Sequence, residues 1–100
     1  MTDADRQAPA GDGASLPAID FSTFVMSLSH SVLVHLGDAP DPDGKQSVQL
    51  ELARQTIDLL ALLQEKTRNN LTGSEEHLLE QALYDLRVRF VEVSRAKKGE

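Results

Sequence analysis

The run from Leu50 to Val93, LELARQTIDLLALLQEKTRNNLTGSEEHLLEQALYDLRVRFVEV, holds two helical patterns divided by a short polar break. In its second half Leu79, Ala82, Leu83, Leu86, Phe90 and Val93 recur at three- and four-residue steps, forming one apolar stripe on a helix. Thr72 followed by Glu75 has the spacing of a capping box and opens that helix. Asn69 and Asn70 close the preceding one, because Asn enters the left-handed region more readily than most residues. The pattern predicts helix two over about 48–68 and helix three over about 73–95. A link of about four residues makes them an antiparallel hairpin.

Helix two is apolar over more than the stripe a hairpin needs. Leu50, Leu52, Ala53, Ile57, Leu59, Leu60 and Leu63 cover roughly half its circumference, and Leu62 lies beyond that arc. Such a helix has to be covered from at least two directions.

Upstream, Asp20 offers an N-cap and a helical pattern runs over about 20–36. Gly37 stands where a left-handed terminating residue belongs, and Pro40 and Pro42 oppose continuation. From Phe21 to Gly37 there is no Asp, Glu, Lys or Arg. Phe21, Phe24, Val25, Leu28, Val32 and Leu36 share one face, while Thr23, Ser27, His30, Ser31 and Val34 occupy the other. An exposed helix ordinarily carries charge on its outer side. Small neutral residues there predict a second covering surface, supplied most simply by a partner chain. The expected self-association interface is Phe21, Thr23, Phe24, Ser27, His30, Ser31 and Val34 with Leu52, Leu59 and Leu62. Helix three carries another apolar group, Tyr84, Val88 and Val91 beside Arg87, with the composition of an interface anchor.

Residues 1–17 are mostly small and polar, which predicts a disordered acidic tail ahead of a single helical domain over 18–96 and a short C-terminal tail at 97–100. The expected fold is therefore all-α, a three-helix arrangement. Charge and composition remove several function classes. A net charge of −6 argues against nucleic-acid binding, and half of the ten basic residues gather at the end of helix three, where they complement its dipole. The absence of Cys excludes disulfides, thiolate chemistry and Cys-based zinc sites. No run approaches the ~20 apolar residues of a membrane span, and no basic-then-apolar secretory signal opens the chain, so a cytoplasmic location is expected.

The histidines do not assemble into a site by spacing. His30 and His35 point to different sides of one helix, and His77 sits in the first turn of helix three. Asp38, Asp41 and Asp43 before Gly44 resemble a calcium loop, but Ala39 and Leu50 would fall at ligand positions one and twelve, where neither can ligate. No catalytic, cofactor-binding or metal-ligating residues and no cofactor are expected. An enzyme would need a pocket joining His30 or His35 to Asp58 or Asp85.

In order along the chain, FSTFVMSL (Phe21–Leu28), VHLG (Val34–Gly37), PDP (Pro40–Pro42), LELARQTIDLL (Leu50–Leu60), LQEKTRNNLT (Leu63–Thr72) and LYDLRVRFVE (Leu83–Glu92) resemble a bacterial family known as domain of unknown function 1844. The resemblance spans about Asp20 to Arg95. It implies a small bacterial protein and brings no established activity or catalytic residue. Gln49 departs from the Asn or Asp this family more often places there, which bears on where helix two starts. The reading is a non-enzymatic interaction module that self-associates, with a dimer favoured, or docks on a polypeptide. An alternative is an adaptor or regulatory subunit of a bacterial signalling complex, such as that of a small GTPase, using Tyr84, Arg87, Val88 and Val91. Neither nucleic acid nor membrane insertion is expected.

Overall fold

Asp20 starts the first helix by turning its carboxylate onto the backbone: Thr23 N–H donates to Asp20 Oδ1 at 2.8 Å. That bond serves one of the amides a helix start leaves unpaired and holds the Asp20 carboxyl below its ordinary pKa. The computed structural model describes residues 18–98. The expected tail at 1–17 and the last two residues lie outside that range.

Three helices follow in order, α1 (Phe21–His35), α2 (Leu50–Lys66) and α3 (Gly73–Lys98), with no strand among the described residues. α1 ends as its sequence requires. Gly37 adopts φ +81°, and Asp38 N–H returns to the Leu33 carbonyl at 2.9 Å. α2 has Gln49 at its cap position without any side-chain hydrogen bond to the helix. The Gln49 N–H instead donates to the His35 carbonyl at 2.6 Å, tying the end of α1 to the start of α2. α2 ends at its C-cap Thr67, whose N–H donates to the Leu63 carbonyl at 3.0 Å, and the chain turns at Asn69, the one non-glycine residue with positive φ among those described. The capping box opening α3 is complete: Glu75 N–H donates to Thr72 Oγ1 at 3.1 Å and Thr72 N–H to Glu75 Oε1 at 2.9 Å.

α3 departs from expectation at its far end. Ala96, Lys97 and Lys98 remain helical where a C-terminal tail was expected from 97. Arg95, Lys97 and Lys98 fill the last turn, where cations stabilise the negative end of the dipole and let the helix run on.

The core lies where the three helices meet. Val25, Val32 and Leu36 enter it after one another from α1 and its cap, Ala53, Ile57 and Leu60 from α2, and Leu79, Leu83, Leu86 and Val93 from α3. α1 packs on both members of the α2–α3 hairpin, which fixes its place in the bundle.

A polar clasp fastens the first loop to α3. Arg89 Nε reaches Asp38 Oδ2 at 2.7 Å and Nη2 reaches Oδ1 at 2.8 Å, while Nη1 meets Glu92 Oε1 at 3.1 Å. Hydrogen bonds from Arg89 hold the Asp38 carboxyl below the usual carboxylate range. A depressed folded-state pKa adds stability above the unfolded value and loses it as pH falls through the folded one. The stability difference between the wild-type chain and Asp38→Asn should therefore stay level above about pH 5 and shrink in more acid solution. Urea titrations of both chains across that range check this, and a difference that grows on acidification would refute it.

Candidate functional site

The acidic loop serves its own backbone. Asp41 Oδ1 accepts from the amides of Asp43 at 2.9 Å and Lys45 at 2.9 Å, and Asp38 is taken by Arg89. No group of three or more His, Asp or Glu among the described residues could hold a metal. His30 borders an open depression on α1 lined by Ser22, Thr23, Met26 and Ser27, with no carboxylate among them. His35 is half-buried, and its Nδ1 is enclosed without a hydrogen-bond partner. Asp85 lies elsewhere, in an apolar groove of about 480 Å³ between α1 and α3 that runs from Met26 and Leu33 to Leu78 and Ala82. His77 and Asp58 are exposed. The polar groups thus stay dispersed, and the prominent features of the surface are apolar.

Two apolar surfaces stand out. The first is carried by α1 and α2. Met26, Ser29 and Leu33 line the groove toward α3, so that flank of α1 belongs to α3. Phe24 lies about 160° around the helix from Met26 and falls on the other flank, together with Ser27 and Ser31. On α2, Gln64, Thr67 and Arg68 meet residues of α3. Leu52, Leu59 and Leu62 are each turned at least about 120° from Gln64 and about 80° or more from the buried Ala53, Ile57 and Leu60, away from the core. These three are 43%, 45% and 48% exposed, and Phe24 is 42% exposed.

The structure divides the expected self-association set. Phe24, Ser27, His30, Leu52, Leu59 and Leu62 are open to solvent, whereas Phe21, Thr23, Ser31 and Val34 are half-buried. α1 is neither sealed inside the bundle nor detached from it. Its Val25–Val32–Leu36 side is closed, while Phe24, Met26, Ser27 and His30 are exposed. Phe24 shared a face with the core residues in the sequence pattern, yet it falls at the edge of the buried sector. Met26, also exposed, was not among the expected residues, and only its position beside Thr23, Ser27 and His30 could have signalled it.

The second surface runs along the outside of α3. Tyr84 is 67% exposed, with Val88 and Val91 beside it. Together with Glu80, Arg87, Arg95 and Gln64 of α2 they line an open groove of about 540 Å³. All four residues expected here, Tyr84, Arg87, Val88 and Val91, are brought together.

Two further facts bear on function. No helix among the described residues is long and apolar enough to cross a membrane. A model of the family described as Domain of unknown function (DUF1844) matches residues 18–92. No curated protein and no solved structure matches the chain.

Proposed function

The chain belongs to the DUF1844 family, a membership that carries no activity with it, and we propose on physical grounds that it is a non-enzymatic helical module whose α1–α2 face closes against a second copy of itself. The observation that carries this reading is the exposure of Leu52, Leu59 and Leu62 on α2 and of Phe24 on α1, a helix with no charged side chain. Those four apolar side chains together leave on the order of 300 Å² in water, comparable to the largest apolar patch of a typical monomer, which is often functional. Ser27 and Ser31 beside Phe24 are small enough to let another backbone approach.

A second copy fits better than an unlike partner for two reasons. An acidic or basic partner would find no countercharge on α1. A two-fold contact also places each uncharged helix against a surface of its own kind, the commonest arrangement for a small soluble protein. This module would work in the bacterial cytoplasm, and a cysteine-free chain suits that reducing compartment.

The test is Leu59→Asp followed by sedimentation equilibrium. A carboxylate buried without a partner in the contact should raise the dimer dissociation constant by at least about 100-fold. Leu59 is not part of the monomer's core, so helix content should not change. A wild-type chain that stays monomeric up to several hundred micromolar, or a Leu59→Asp chain that associates as the wild type does, would overturn the reading.

A further inference from the structure

The outer stripe of α3 has an order that the α1–α2 face lacks. Glu80, Tyr84, Arg87, Val88, Val91 and Arg95 are spaced four, three, one, three and four residues apart, the same read in either direction. At about 100° per residue all six fall within an arc of about 100°, on the side of α3 away from Leu79, Leu83, Leu86 and Val93. A symmetric spacing on one helix face has a geometric consequence. When two such helices lie antiparallel about a two-fold axis passing between residues 87 and 88, every position of the stripe meets another position of the stripe.

The chemistry of those meetings is complementary. Glu80 comes opposite the partner's Arg95, Tyr84 opposite the partner's Val91, and Val88 lies beside the axis. By symmetry each meeting occurs twice, giving two opposite-charge pairs and two aromatic–aliphatic contacts. In-register parallel pairing would set Glu80 against the partner's Glu80 and Arg95 against the partner's Arg95. One feature opposes the antiparallel contact: Arg87 lies on one margin of the stripe, so the two Arg87 side chains approach each other near the axis. That is one like-charge contact against two attractive ones.

We propose that the outer face of α3 is a second homotypic interface, in which the stripe from Glu80 to Arg95 pairs antiparallel with the same stripe of another copy of this chain. It is independent of the α1–α2 face, being on another helix and turned another way. The stripe is about 22 Å long, too short for a standard interface, so this contact is weak. The two surfaces together would join chains beyond a dimer, and a dihedral group of four is the simplest closed form.

The experiment is a set of charge variants, measured by sedimentation equilibrium in the wild-type chain and in Leu59→Asp, which removes the other proposed contact. Glu80→Arg turns both attractive pairs repulsive and should weaken the α3 contact at least about fivefold. Glu80→Arg with Arg95→Glu restores opposite charges and should return the affinity to the starting value. Arg87→Gln relieves the like-charge contact and should tighten association about twofold. Any of three results would overturn the proposal: no association of Leu59→Asp that depends on Glu80, no restoration by the double exchange, or weakening by Arg87→Gln. Each result concerns α3 alone and leaves the behaviour of Leu59 to be judged separately.

Discussion

Leu60→Ala is expected to remove about 2–5 kcal/mol of folding stability, the usual range for truncating a fully enclosed leucine. Leu60 is 0% exposed at the middle of α2, the helix that packs on both α1 and α3. Truncation there opens a gap in the core that the three helices share, and helices held by core packing close such a gap poorly. A domain of this size has roughly 4–12 kcal/mol of stability in all. The variant should therefore stand near the edge of folding, with its melting temperature lowered by at least about 10 °C. Urea unfolding followed by circular dichroism measures the change. Leu62→Ala, two residues along and half exposed, provides the contrast, and in dilute monomeric solution it should unfold nearly as the wild type does. Equal losses at both positions would contradict the burial pattern on which the α2 surface rests.

The second large effect is expected at Gly37. Its φ of +81° costs an L-residue roughly 1–2 kcal/mol, and a Cβ there would also lie 3.1 Å from Val48 Cγ2. Gly44, in the same loop, has the same φ of +81° but nothing within 4 Å of the added carbon. Comparing the two separates backbone strain from packing. Gly44→Ala should lose about 1 kcal/mol and Gly37→Ala about 2–3 kcal/mol. Equal losses would mean that Val48 moves aside without penalty and that the tie between α1 and α2 is looser than described.

Much of the fold was legible because its boundaries are set locally. Asp20, Gly37, Asn69 and the Thr72–Glu75 pair each act within a few residues of themselves, and each does in the structure what its type and spacing imply. The surplus of leucine on α2 was legible too. A helix with only one buried sector cannot hide more than about a third of its circumference, and Leu52, Leu59 and Leu62 were beyond it.

What escaped the sequence depends on how the helices lie against each other. The Arg89–Asp38 clasp joins residues 51 apart with no periodic signal between them. The groove between α1 and α3 exists only once α1 has taken its angle on the hairpin, and Met26 is exposed because it borders that groove. In the sequence Phe24 falls both on the face of Val25, Val32 and Leu36 and in the expected self-association set. Helical phase alone cannot resolve a residue that sits at the edge of the buried sector.

The clasp has a bearing on the route by which the chain reaches this shape. The α2–α3 turn brings near neighbours together and costs little entropy to close, whereas Asp38 and Arg89 meet only after the chain between them has been gathered in. A contact of that second kind is expected to form after the barrier, so Asp38→Asn should raise the unfolding rate and leave the folding rate nearly unchanged in stopped-flow urea jumps. On that expectation the clasp is a brake on opening more than a guide to assembly, and it bears on how long an assembled molecule lasts.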